Sequence, residues 1–121
     1  MEAREREATL RAAAGLFDDG RYLAAHELFE ELWESTEGEE ADFFKGLLQA
    51  CIALHHFEAG NLEGASKLYS GHRRFLAGYQ PAHAGISVTR FLEEMQAFLK
   101  PALAGRTPAP GARRPRLLPA D

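Results

Sequence analysis

His26 and Glu30 stand four residues apart, so on a helix their side chains meet on one face, and Trp33 follows one turn on. Such a pair beside aromatic surface fits three uses. It can be a general base with its orienting carboxylate, two ligands of a metal ion, or a hydrogen-bonded pair at the edge of an apolar face. Further along, Gln49 and His56 share one narrow arc of a helix with Lys45 and Ile52. If that arc faces the helix of His26, the four polar residues join in one cluster; if it faces water, it is the solvated stripe of a bundle helix. The candidate site residues are therefore His26, Glu27, Glu30, Trp33, Gln49 and His56. In the metal version, His26, Glu30 and His56 are the ligands of a divalent cation, with Glu27 as the alternative carboxylate.

Other chemistry-bearing residues read more plainly. His72 falls in the middle of the arc formed by Leu62, Ala65, Leu68, Tyr69, Phe75, Leu76 and Tyr79, which suits a core histidine. Cys51, the single cysteine, lies in the apolar run 46–54 and reads as a buried inert thiol in a reducing, cytoplasmic setting. Glycine-rich nucleotide loops, Gly-x-Ser-x-Gly, Cys-x-x-Cys and the EF-hand pattern are all missing. His26-Glu27-Leu28-Phe29-Glu30 puts Glu where a zinc protease needs its second histidine, and no Glu-x-x-His occurs to build a ferritin-type di-iron centre.

The elements that must position these residues are helical. Apolar residues recur at helical spacing in stretches at about 2–18, 22–36, 40–58, 62–79 and 87–100, and no strand-length alternation with hairpin chemistry appears. Gly20, Gly38 and Gly60 suit helix ends, Asn61 and Ser87 suit N-caps, Pro81 should break the chain before the fifth helix, and Pro101 should end or kink that helix. Ile86 and Phe91 are spaced for a hydrophobic staple around Ser87. Residues 20–29 and 60–69 repeat a pattern of Gly, Tyr or Leu, Ala, Leu and Phe or Tyr at an offset of 40. The expected fold is all-α: a compact bundle of about five helices built on two repeat-like helical hairpins.

The chain has 121 residues, enough to bury a core without disulfides. Its net charge of −4 is uneven: residues 1–105 carry ten Lys and Arg against 17 Asp and Glu, whereas residues 106–121 carry four Arg against one Asp. Residues 1–105 should form one domain, and 106–121, rich in Pro, Gly and Arg, a mobile or loosely docked tail. Nucleic acid is repelled by the body and could be met only by the tail, which could equally meet an acidic partner or the acidic body itself. A charged N-terminus and the lack of a long apolar run argue against secretion and membrane spanning.

A compound motif adds to this reading: Phe17-x-x-Gly20-x-Tyr22-x-x-Ala25-His26-Glu27-x-x-Glu30-x-x-Trp33, then Phe44-x-Gly46-Leu47-Leu48-Gln49, then His56-x-x-x-Gly60-Asn61-x-x-Gly64-Ala65. Over about residues 10–80 the chain resembles the small helical family known as domain of unknown function 309. The resemblance implies a compact, cytoplasmic all-α bundle and supplies no reaction. It picks out polar residues at His26, Glu27, Glu30, Gln49, His56 and Asn61.

Three functions are compatible with these residues. The leading one is a noncatalytic binding or scaffold module, whose groove of His26, Glu30 and Trp33 receives a peptide, a small ligand, a partner protein or a second copy in a homo-oligomer. The alternative is a hydrolase-type enzyme, in which His26 and His56 with Glu27 or Glu30 bind a divalent metal or activate water. In the third, His26, Glu30 and Gln49 form a buried network that only fixes helix packing.

Overall fold

The computed structural model describes residues 1–106 and 113–118. Five helices run in chain order: α1 (Ala3–Asp18), α2 (Tyr22–Glu34), α3 (Glu40–Glu58), α4 (Leu62–Leu76) and α5 (Val88–Leu103). Each of α1 to α4 packs most extensively on its neighbour in sequence, and α3 against α4 is the largest contact. The all-α bundle expected from the apolar spacing is thus what forms. No helix among the described residues is long and apolar enough to cross a membrane.

The internal repeat holds at the level of individual bonds. Gly20 and Gly60 both have φ of 80°, which a residue with a side chain rarely adopts. Around the first, the Gly20 N–H donates to Phe17 C=O (2.9 Å) and the Arg21 N–H to Leu16 C=O (2.9 Å). Around the second, Gly60 donates to Phe57 (3.1 Å) and Asn61 to His56 (2.8 Å). The same helix-ending motif thus turns α1 into α2 and α3 into α4 with orphan carbonyls satisfied. The second corner adds a side-chain cap, since Asn61 Oδ1 accepts from the Gly64 N–H at 3.0 Å.

Helix α3 is the central element, with Phe43, Phe44, Leu47, Leu48, Ala50, Cys51, Ala53 and Leu54 all buried. Burial pushes the Cys51 thiol far up, which keeps it un-ionised and inert as expected. Glycines bring α3 and α4 together. A Cβ on Gly46 would lie 2.6 Å from Leu76 Cγ; one on Gly64 would lie 3.0 Å from the His56 ring, and one on Gly71 2.0 Å from Gln49 Oε1. Helix α5 closes the bundle through Phe91, Leu92, Met95 and Leu99, and ring contacts tie it to α1 (Phe91–Phe17, 5.5 Å) and α3 (Phe98–Phe57, 5.6 Å).

Several boundaries depart from the expected ones. Helix α4 stops at Leu76, and a 3-10 turn, Ala77–Tyr79, takes its place. An unanticipated hairpin follows, with β1 (Ala82–His83) antiparallel to β2 (Ile86–Ser87). Two-residue strands are too short to register as alternation in sequence. Ser87 occupies the N-cap of α5 without a side-chain bond, while the Thr89 N–H reaches Pro81 C=O at 3.2 Å. Flanking it, Ile86 and Phe91 are both buried. Pro101 does not end α5, which continues to Leu103.

Of the two arrangements expected for the tail, mobile or loosely docked, the described part is docked. Residues 113–118 lie on the body, with Leu117 fully buried in the core and Pro115 buried beside it. Apolar residues at two positions, together with arginines facing an acidic surface, are what seat it. The other tail positions beyond Arg106 lie outside the described residues.

Three stability predictions rest on these helices. Gly46→Ala should lose roughly 1–2 kcal/mol by denaturant unfolding, because overpacking against Leu76 outweighs the gain in helix propensity. Gly15→Ala, where a Cβ meets nothing within 4 Å, should instead gain roughly 0.5–1 kcal/mol. His72 is fully buried, with Nδ1 bonded to Tyr69 C=O and Nε2 unpartnered, and burial lowers its pKa from 6.5 to about 4. Unfolding therefore takes up a proton between those values, so stability is full above about pH 6.5 and falls as pH drops toward 4. Between pH 7 and pH 5 the wild type should lose roughly 2 kcal/mol more than His72→Leu, as read from urea midpoints.

Candidate functional site

The structure separates the residues that the sequence grouped. His26 Nε2 lies 3.4 Å from Glu30 Oε2, an i,i+4 pair whose side chains are 25% and 44% exposed. Glu27 is exposed on the outer face of α2. Trp33 is half-buried under the Lys45 ammonium, 4.3 Å from the ring centroid. Gln49 and His56 face neither α2 nor water alone, for both are taken up by α4. Gln49 points at Gly71 with Oε1 buried and unpartnered. His56 packs on Gly64, and its Nδ1 accepts from Asn61 Nδ2 at 3.3 Å. Among the described residues no group of three His, Cys, Asp or Glu side chains is placed to hold a metal ion. The metal set His26, Glu30 and His56 is therefore not assembled, because His56 is committed to the α3–α4 corner.

A different region gathers polar groups around open space. The hairpin folds back onto the start of α3 and sets the His83 ring between Phe43 (centroids 4.6 Å apart) and Tyr79 (4.9 Å). From there His83 Nε2 bonds Glu40 Oε2 at 2.8 Å, and the Tyr79 hydroxyl donates to Glu39 C=O. Beside this pair, a cavity of about 330 Å³ opens between the N-terminal half of α1, the start of α3 and the hairpin turn. Its apolar lining is Ala3, Leu10, Phe44 and Ala84; its charged lining is Arg6, Glu7, Arg11 and Glu40.

The two arginines differ in what holds them. Arg6 is fixed by Thr36 Oγ1 and by Ser35 C=O (3.0 Å), groups at the C-terminal end of α2. Arg11 is exposed and has no hydrogen bond or ion pair among the described residues. Its Nη2 lies over the turn, 3.3 Å from where a Cβ on Gly85 would stand. The turn itself is strained: Ala84 has φ of 51°, beside Gly85 at 79°. A two-residue hairpin turn of this kind favours Asn-Gly, and Ala in the left-handed region costs about 1 kcal/mol.

Among the described residues the lining carries two carboxylates, Glu7 and Glu40, and no hydroxyl, thiol or imidazole. What it offers is an apolar floor with Arg11, unpaired among the described residues, at the rim. Sequence reading missed it because Glu40 and His83 are 43 positions apart and meet only through the hairpin. The nearest signal was the Pro81 and Gly85 punctuation between α4 and α5. Ala84→Asn should raise stability by roughly 0.5–1 kcal/mol in urea unfolding, since Asn tolerates this backbone better. A loss would show the turn to be relaxed.

Comparison with known proteins places the helical core. An uncharacterized protein of Aquifex aeolicus (strain VF5) is 31% identical over 95 residues, which are 78% of this chain. The chain spans 27% of that relative's own length. The matching family model covers residues 10–68, from α1 through the first half of α4, and leaves the hairpin outside. Over those residues, which include the repeated corner and the α3–α4 glycines up to Gly64, the chain matches the family described as domain of unknown function (DUF309).

Proposed function

We propose that this chain is a cytoplasmic, noncatalytic binding module whose ligand enters the cavity between α1, α3 and the hairpin. The ligand combines an apolar body with an anionic group: the body lies on Leu10 and Phe44, and the anion meets Arg11. The observation that carries the reading is Arg11, without a partner among the described residues, above an apolar-floored space of about 330 Å³. That volume falls within the range of small-molecule sites, which are mostly apolar with a few placed polar groups. Strain at Ala84 supports the same location, since sparsely populated backbone conformations cluster at binding sites. Arg6 and the His83–Glu40 bond hold the walls in place before any ligand arrives.

Titration of the isotope-labelled chain with octanoate, phenylacetate and phenyl phosphate tests this by amide chemical shifts. Saturable shifts are expected at residues 3–11, 40–44 and 84–85. Arg11→Glu should weaken binding by roughly tenfold or more, the worth of a charge-assisted hydrogen bond. Shifts centred on Trp33 and His26, or equal binding by Arg11→Glu, would move the site elsewhere.

A further inference from the structure

The docked tail is held by contacts that read its sequence. Asp18, whose side chain is only 5% exposed, accepts two consecutive backbone N–H groups, Leu117 to Oδ1 at 2.6 Å and Leu118 to Oδ2 at 2.9 Å. Glu94 Oε1 accepts the preceding amide, Arg116 N–H, at 2.9 Å. Pro115, which has no N–H to satisfy, comes just before these three amides and is buried. Leu117 fills a fully buried pocket. Arg114 is read three ways: Nη2 pairs with Glu58 Oε2 at 2.8 Å, Nη1 donates to the Tyr22 hydroxyl at 2.9 Å, and the guanidinium lies over the Tyr22 and Phe98 rings.

We infer that the groove formed by Asp18, Tyr22, Glu58, Glu94 and Phe98 is a recognition site for extended basic segments reading Arg-Pro-x-Leu, filled in cis by 114–117 and open in trans to a partner protein presenting that motif. The receptor belongs to the helices, so it persists when the tail leaves. The tail leaves without unfolding them, because only Pro115 and Leu117 are buried while the Arg114 and Arg116 side chains are 49% and 59% exposed. Exposed ion pairs hold little, and a short segment with few buried contacts opens locally. Charge selects the occupant, since Asp18, Glu58 and Glu94 face a segment whose charged side chains are all arginines. The cis tail acts as a competitor at high effective concentration, so a partner must carry the full motif.

The test uses the full chain carrying Leu117→Asp, which vacates the pocket, and a labelled synthetic peptide of residues 113–118 followed by fluorescence anisotropy. The vacated chain should bind the peptide at least roughly tenfold more tightly than wild type, whose own tail competes. Adding Asp18→Asn should weaken binding by roughly tenfold, as should a peptide bearing Leu117→Asp. A folded vacated chain that ignores the peptide, or binds both peptides equally, overturns the inference. Should Leu117→Asp fail to fold, hydrogen exchange on the wild type decides: the Leu117 and Leu118 amides should exchange well ahead of those in α3. Exchange together with α3 would make the tail part of the core and refute a separable occupant. A wild-type dimer that excess peptide dissociates would make the occupant a second copy and overturn the choice of a different partner.

Discussion

The close approach of α3 and α4 is the contact on which the rest of the structure depends. Three glycines, Gly46, Gly64 and Gly71, sit where any side chain would meet Leu76, His56 or Gln49 at 3.0 Å or less. With the helices this close, α3 is buried around most of its circumference, and it becomes the post against which α2 packs on one side and α4 on the other. A helix apolar nearly all round is stable in water only in such a place. The same approach settles the polar residues of α3, because Gln49 and His56 point into the seam.

That seam also explains why polar residues in the family motif need not form a reaction centre. His56, Asn61 and Gly64 make a corner in which one amide side chain bonds the histidine ring and caps the next helix. The equivalent first corner, at Asp19 to Tyr22, has the same backbone bonds without the side-chain cap. Polarity at these positions serves chain reversal, and His26 with Glu30 remains a pair on the margin of α2. His72 shows the cost of the same packing, since its Nε2 is buried without a partner and its ring stays neutral well below the usual imidazole range.

Charge organises the periphery. Seven excess acidic residues in 1–105 face a tail with four arginines, and two of those arginines pair with Glu58 and Asp18. Screened surface pairs are weak alone, so Leu117 and the two amides on Asp18 anchor the segment. Toward the other end of α1, Arg6 grips the end of α2 while Arg11, unpaired among the described residues, lies at an apolar hollow. One helix thus serves a filled groove at its C-terminal end and an open cavity near its N-terminal end.

Helix positions, the repeated corner, the buried Cys51 and the core His72 were legible in the sequence because each rests on local periodicity or on one residue's backbone preference. The charge imbalance between body and tail was legible as simple counting. Orientation was not: whether the Gln49–His56 arc meets α2, α4 or water depends on how α3 is rotated, and glycine contacts spread over two helices decide that. The hairpin was too short for its pattern to register, and the Glu40–His83 bond spans 43 positions that only folding brings together. Leu117 looked like part of a basic tail until the core offered it a pocket and Asp18 offered its amides a carboxylate. Local sequence therefore determined which elements exist and where they turn, through φ preferences and helical spacing. Tertiary packing alone decided which polar groups meet and where open space remains, because those outcomes are set by approach distances between elements remote in the chain.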